Sequence, residues 1–479
     1  MAKNITPRAK NFPQWYQDVI AAGELADHAP IKGCMVIRPD GFGIWESLQA
    51  QLDYRFKETG HVNAYFPLLI PESFMQKEAQ HVEGFAPELA VVTKAGGKDL
   101  EEALVVRPTS ETVIGHMYSK WLNSYRDLPI LINQWTNVMR WEKRTRLFLR
   151  TSEFLWQEGH TAHETLQDAE EETLKMLEIY RETLEDICAI PVVVGEKPEH
   201  DKFAGALKTY ALEAMMQDKK ALQSATSHNL GQNFSKAFGI DFLNRDNQLD
   251  YAWTTSWGIS TRAIGGIIMT HGDDDGIILP PKIAPTKVVV VPIFTSVEEK
   301  RQTFEHADKV AEILREKLGT LCVKVDYRDN MKPGDKFFTW IQKGVPLRVE
   351  VGPKDVASNG GMLVRRDNRE KKACDLNHLG DTAATILDDI QNALFARAEK
   401  LLADNTHTAD SYGEFQDIMQ GEGGFILAHW DGTVETAEKI QKKTKFSIRL
   451  VPRDGDLSPG SCMITGKPSK QRVLFALAY

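Results

Sequence analysis

Residues 140–163 read RWEKRTRLFLRTSEFLWQEGHTAH, and the pattern inside this stretch decides the fold class. Tryptophan-bearing strands are expected over 130–141 and 151–161, with a short basic loop between them. On a strand, residues two apart share a face. Arg140 and Glu142 therefore point together, and so do Phe154, Trp156, Glu158 and His160. Such a strand, loop and strand can grip an anionic ligand with Arg140 and Arg150. A guanidinium pairs with phosphate or carboxylate oxygens through two parallel bonds. The plainer reading is a β-hairpin whose charges face water.

Downstream, residues 165–187 carry Leu177, Tyr180, Leu184 and Ile187 at steps of three and four, a helix with those four in the core. Antiparallel strands flanked by helices predict an α+β unit for the first 280 residues. Three prolines in LPPKIAPTK (279–287) mark a boundary. Beyond it, 288–293 is a β-branched run suited to a strand covered on both faces. Phe304, Ala307, Ala311, Leu314 and Leu318 follow at helical spacing. Further strands are expected over 321–325, 346–351 and 362–365 and a long helix over 382–402, a compact α/β module. The rest is a small α/β unit: a helix near 413–421, strands near 425–429 and 472–478, and a lysine-rich helix around 439–445. The expected division is 1–283, 284–402 and 403–479.

The chain has 479 residues, 42% hydrophobic and 26% charged, as in an ordinary globular protein. No apolar run is long enough for a membrane span. The start, MAKNITPRAKNF, lacks the apolar segment of a secretory signal, so the expected location is cytoplasmic. The five cysteines form no C-x-x-C pair and read as reduced thiols. A net charge of -9 argues against indiscriminate coating of nucleic acid, although 287–375 has a small basic excess. The nearest approach to a P-loop, Gly460 to Lys467, has one residue too many between its glycines, and Pro468 stands where a hydroxyl is needed. His160 and His163 lie at an odd strand offset and cannot share a metal; His163 is expected at the surface.

Four clusters remain: FPLLIPESF (66–74), VRPTSET (106–112), QSATSHNLGQNF (223–234) and TTSWGISTRAIGG (254–266). Taken singly they read as an edge strand, a turn leading into a helix, a loop and a packed helix. Together, with FLRTSEFLWQEGH, they resemble the signature motifs of class II aminoacyl-tRNA synthetases, lying near 60–75, 136–160 and 254–280. The wording is closest to prolyl-tRNA synthetases of the archaeal and eukaryotic type, over the chain from near Asn11 to Tyr479.

The resemblance implies an antiparallel-sheet catalytic domain, an α/β anticodon-binding domain and a small C-terminal domain. It also implies a homodimer built around the first motif with Pro67. It implies ATP-dependent ligation of L-proline to tRNA(Pro) through prolyl-adenylate, with Mg2+ as cofactor. Arg140, Arg150 and Arg262 become the catalytic arginines. Glu142, Thr151, Gln223, Thr226 and Thr254 join them as ATP contacts. Thr109, Glu111, Trp156, Glu158, His160, Phe203, His228 and Ser256 form the proline pocket with Arg140. Arg348, Glu350 and Lys354 become candidates to hold the anticodon.

Two departures matter. Family members often bind zinc through four C-terminal cysteines, whereas the matching positions here are near Asp431, Thr436, Cys462 and Thr465. Structural zinc wants four N or S ligands, so this region is expected to fold without zinc, on its apolar core alone. Bacterial-type relatives insert an editing domain between motifs two and three. Here only residues 165–222 intervene, leaving any editing to a separate deacylase in trans. Such a pocket excludes alanine or cysteine weakly, since small apolar differences are worth only about 1–3 kcal/mol. Tyr479 matches a C-terminal tyrosine whose carboxylate lies near the active site. The rivals are a synthetase-like paralogue that adenylates an amino acid or binds tRNA without charging it, and a noncatalytic RNA-binding scaffold.

Overall fold

The computed structural model describes residues 4–75, 89–456 and 458–479. Its centre is an eleven-stranded sheet. In spatial order the strands are Thr406–Ala409, Phe425–His429, Arg472–Ala476, Ser447–Pro452, Val192–Glu196, Lys208–Met215, Ala221–Gly231, Trp253–Ser260, Glu153–His163, Ile130–Met139 and Val62–Asn63. Only the outermost pair at each end is parallel; every other neighbour is antiparallel. The strands expected in the C-terminal region therefore do not stand apart. Val451 pairs with Glu196 and Pro452 with Gly195, so the chain's last segment continues the sheet of its first half.

The back of this sheet is the main core. Thr165 caps the helix Leu166–Glu182 by accepting from the Asp168 amide, 3.1 Å. Leu177 and Tyr180 pack from that helix, and Leu184 and Ile187 from the π-helical turn after it, against Phe56 and Trp257. Gly159 permits this approach, because a Cβ there would lie 2.1 Å from the Trp257 ring. His163 does not reach the surface as expected. It is 4% exposed, under that helix, with Nε2 2.7 Å from Thr161 Oγ1. The odd offset from His160 is what turns it into the core.

The second sheet runs Val323–Val325, Val288–Pro292, Leu347–Val351, Gly360–Arg365 and Lys371–Asp375, parallel in its first three strands and antiparallel after. The β-branched run Val288–Val291 is wholly buried. Helices Val297–Leu318 and Leu379–Asp404 cover its Val288 and Val290 face, and Phe337 and Trp340 of the helix Pro333–Gln342 pack on Val289 and Val291. The stretch 66–74 contributes a shorter strand than expected, Leu69–Pro71, which pairs with Lys98–Val106 outside the main sheet. Part of the first motif region, 76–88, lies outside the described residues.

Candidate active site

Antiparallel register brings the signature residues into rows across the front of the main sheet. His160, Ser256, His228 and Thr209 form one row on four adjacent strands; Glu158, Gly258 and Thr226 form the next. These residues line a cleft of about 300 Å³, whose walls include Thr109, Glu111, Arg140, Phe154, Trp156, Phe203, Gln223 and Arg262. A second cavity of about 160 Å³ opens beside it, bounded by Arg140, Glu142, Arg150, Thr151, Phe154 and Arg262. The stretch 223–234, a loop when read alone, is largely the strand Ala221–Gly231.

The three arginines reach this front by different routes. Arg140 falls just past the end of strand Ile130–Met139, not on it. There its Nε donates to the Pro108 carbonyl at 3.0 Å, and its guanidinium lies 5.3 Å from the Trp156 ring. Arg150 pairs with Glu142 at 3.3 Å across the basic loop. Arg262 opens the apolar helix Arg262–His271 and donates to the carbonyls of Leu149 (3.1 Å) and Gln223 (3.3 Å). Burial, with Arg150 and Arg140 nearby, lowers the Arg262 pKa to about 10. It is still a cation at neutral pH. An anion with several acidic groups is the ligand that three such neighbours favour.

The other end of the cleft is small, aromatic and acidic. Ser110 immediately precedes the helix Glu111–Trp121, which puts Glu111 in its first turn, bonded to the Thr109 hydroxyl. Glu158 accepts from Ser110 Oγ, from Gln134 Nε2 (2.7 Å) and from His160 Nε2 (3.0 Å). Burial opposes the Glu158 charge, but these donors hold its carboxyl below the usual range. Burial also opposes the His160 charge, yet Glu158 and Glu111 outweigh it and raise that imidazole. His228 is pushed down to about 3 by burial, with His160 and Arg140 adding to it. Its Nδ1 lies 3.0 Å from Thr209 Oγ1, and the Phe203 ring lies 4.7 Å from its own, tilted by 33°.

Thr254 is the exception among the ATP candidates. It faces a small separate cavity with Glu111, Tyr118 and His160, away from the arginine end. Its row explains the displacement: Thr254 pairs with Ala162, one step beyond the pocket's end. Lys197, Asp201, Lys202 and Thr209 also line the cleft, although no signature stretch contains them. The only hint was a charged run, KPEHDKFAGA (197–206), around Phe203.

In the second sheet, Arg348 donates to Glu350 at 2.7 Å and lies 4.3 Å over the Phe337 ring; Lys371 also approaches Glu350, at 3.5 Å. Lys354 is exposed on the short helix Pro353–Ala357.

The four positions matching the family's zinc ligands lie close to one another or are buried nearby. Asp431 accepts from Thr433 Oγ1 (2.8 Å), Thr436 Oγ1 (3.0 Å) and Thr465 Oγ1 (2.9 Å), while Cys462 is buried. One carboxylate, two hydroxyls and a single thiol do not fit a zinc that wants four N or S donors. The expectation of an apolar core alone needs correcting, since a carboxylate-centred knot of hydrogen bonds closes this region.

Three family models match in sequence order: the tRNA synthetase class II core domain (G, H, P, S and T) over residues 92–271, the anticodon binding domain over 287–385 and the prolyl-tRNA synthetase C-terminal domain over 412–479. The chain is 53% identical over 491 residues to a proline--tRNA ligase of Porphyromonas gingivalis, covering 100% of this chain and 99% of that protein. It is 54% identical to the proline--tRNA ligase of Roseiflexus sp., with 100% and 99% covered. The crystal structure of prolyl-tRNA synthetase from Cryptosporidium parvum complexed with halofuginone and AMPPNP superposes with a TM-score of 0.94, at 38% identity over 99% of this chain and 97% of that one. A class II core, an anticodon-binding module and full-length likeness to these enzymes converge on one statement: the chain belongs to the proline--tRNA ligase family of class II aminoacyl-tRNA synthetases.

Proposed function

We propose that the chain ligates L-proline to tRNA(Pro) in two steps, through prolyl-adenylate, at the expense of ATP. The observation that carries this reading is the convergence of Arg140, Arg150 and Arg262 on a cleft whose far end is a small aromatic and acidic pocket.

Arg140 stands between the two ends, suited to hold the α-phosphate and the amino-acid carboxylate together. Glu142, Arg150 and Thr151 would take the adenine and γ-phosphate side, and Arg262 the bent tail, with Gln223 and Thr226 as further nucleotide contacts. A secondary ammonium needs an anionic acceptor, which Glu111 supplies beside Thr109. Trp156, Phe203 and His228 would wall the pyrrolidine ring, with Ser256 on the floor. Glu158 and His160 brace that floor, and Thr254 is better assigned to its rear than to ATP.

No covalent nucleophile is required. The proline carboxylate attacks the α-phosphorus in line and pyrophosphate leaves; a terminal ribose hydroxyl of tRNA then attacks the activated carbonyl. Orientation and preorganised positive charge do the catalytic work. Mg2+ would be carried on the triphosphate oxygens and add to that charge. Among the described residues no group of three His, Cys, Asp or Glu side chains is placed to hold a metal.

The division into 1–283, 284–402 and 403–479 gives catalysis, anticodon binding through Arg348, Glu350 and Lys354, and a C-terminal unit. A homodimer is supported by exposed Tyr54, Val62, Tyr65 and Leu69 around the first motif. The cytoplasm is its proposed compartment, and a deacylase acting in trans its editing partner. The test is ATP–pyrophosphate exchange with each of the twenty amino acids. Proline is expected to dominate, and Arg140→Ala to lose at least about 100-fold with the fold intact. Near wild-type exchange in that variant, or a stronger response to another amino acid, overturns the assignment.

A further inference from the structure

Lys197 lines the cleft with a side chain only 3% exposed, and a buried ammonium needs fixed counter-charges. Its Nζ lies 3.0 Å from the Asp201 carboxylate and 3.4 Å from that of Glu213. Asp201 ends the short turn Glu199–Asp201. Two residues later Phe203 donates its amide to Thr209 Oγ1 at 2.9 Å and lays its ring on His228. The Lys197 ammonium thus ties the segment that carries Phe203 to the floor of the sheet.

Glu213 is wholly buried and stands opposite Gln223 in the antiparallel register. Its Oε1 accepts from Arg449 Nη2 (2.7 Å) and Nε (3.1 Å) as well as from Lys197, while its Oε2 has no hydrogen-bond partner among the described residues. Arg449 comes from Ser447–Pro452, the strand by which the C-terminal region joins the catalytic sheet. A single oxygen therefore receives a guanidinium from the end of the chain and an ammonium from the pocket wall. The guanidinium has the shorter contacts and pins the carboxylate. With Arg449 removed, Glu213 is free to turn fully onto Lys197, and Asp201 loses its partner.

We propose that Arg449 is a positioning residue for the amino-acid pocket, acting through Glu213, Lys197 and Asp201 on Phe203. This rests on the reading of that pocket as the proline site. It gives the C-terminal region a part in amino-acid recognition, where the plainer alternative makes Arg449 only a staple between two segments of sheet.

The two differ in steady-state proline-dependent ATP–pyrophosphate exchange by the full-length protein. Arg449→Gln is expected to raise KM for proline about tenfold, within the range for residues coupled in one network, and KM for ATP less than about threefold. Arg449→Lys should recover part of the loss. Lys197→Met should move KM for proline in the same direction, and the double variant should show less than the product of the single effects. The proposal is overturned by a proline KM within about twofold of wild type in both Arg449→Gln and Lys197→Met, or by a fall in kcat with both KM values unchanged. Fully multiplicative effects in the double variant overturn it as well. If the wild-type chain shows no proline-dependent exchange, the reading of the pocket fails and this inference falls with it.

Discussion

Asp273 and Arg366 form a two-armed ion pair, both N···O distances 2.7 Å, between the end of the helix Arg262–His271 and the turn after strand Gly360–Arg365. The guanidinium is buried and gives its other donors to the carbonyls of Ile341 (3.0 Å) and Gly276 (3.2 Å). Burial opposes the Asp273 charge, but Arg366 outweighs it and keeps the carboxyl below its usual range. One helix thus carries Arg262 at its start and the grip on the second sheet just past its end. Asp273→Asn is expected to raise KM for tRNA in charging about tenfold and cost about 1–3 kcal/mol in urea unfolding, with proline-dependent exchange changed less than about threefold. Equal losses in exchange and charging would remove the special role of this pair.

The Asp431 knot predicts that the C-terminal region is indifferent to chelators. The melting midpoint should be the same with and without EDTA. Asp431→Ala should lower stability by about 2 kcal/mol, because the hydroxyls of Thr433, Thr436 and Thr465 lose a common acceptor. Stoichiometric zinc in protein purified without added metal would contradict the substitution of hydrogen bonds for metal.

His271 gives a pH prediction with a definite sign. Its Nε2 donates to the Cys188 carbonyl at 2.8 Å, and its Nδ1 is buried with no hydrogen-bond partner among the described residues. Burial lowers its pKa to about 3, against about 6.5 when unfolded. The unfolded chain therefore takes up a proton that the folded one refuses. Stability contributed by the neutral ring is full above pH ~6.5 and drains away as pH falls toward the folded value, by up to about 1.4 kcal/mol per pH unit. Urea midpoints for His271→Gln should fall less steeply than wild type between pH ~6.5 and ~4.5. Parallel curves would show that the ring is not the titrating group.

Periodicity made much of this architecture readable in advance. The alternation of Phe154, Trp156, Glu158 and His160 put four cleft residues on one face, and the run Val288–Val291 announced a strand covered on both sides. What escaped depends on distant partners. His163 looks like any polar residue until Glu172 from the next helix and His61 from the first motif region close around it; its pKa, lowered to about 4 by burial, registers their charges. Thr254 shares a parity with Ser256 but lies one step beyond the pocket, a displacement set by pairing register, not by sequence. Lys197 and Asp431 take their meaning from residues hundreds of positions or one domain away, such as Arg449, or from a loop closure, such as Thr465.

The strand Arg472–Ala476 lies between Phe425–His429 and Ser447–Pro452, and Tyr479 ends beside it with its hydroxyl 2.6 Å from Asp218 and its amide on the Ala221 carbonyl. Residues 472–476 are thus an inner strand of the sheet that bears the cleft. Losing that strand would open the sheet from within, since Phe425–His429 and Ser447–Pro452 would be left without the partner they share.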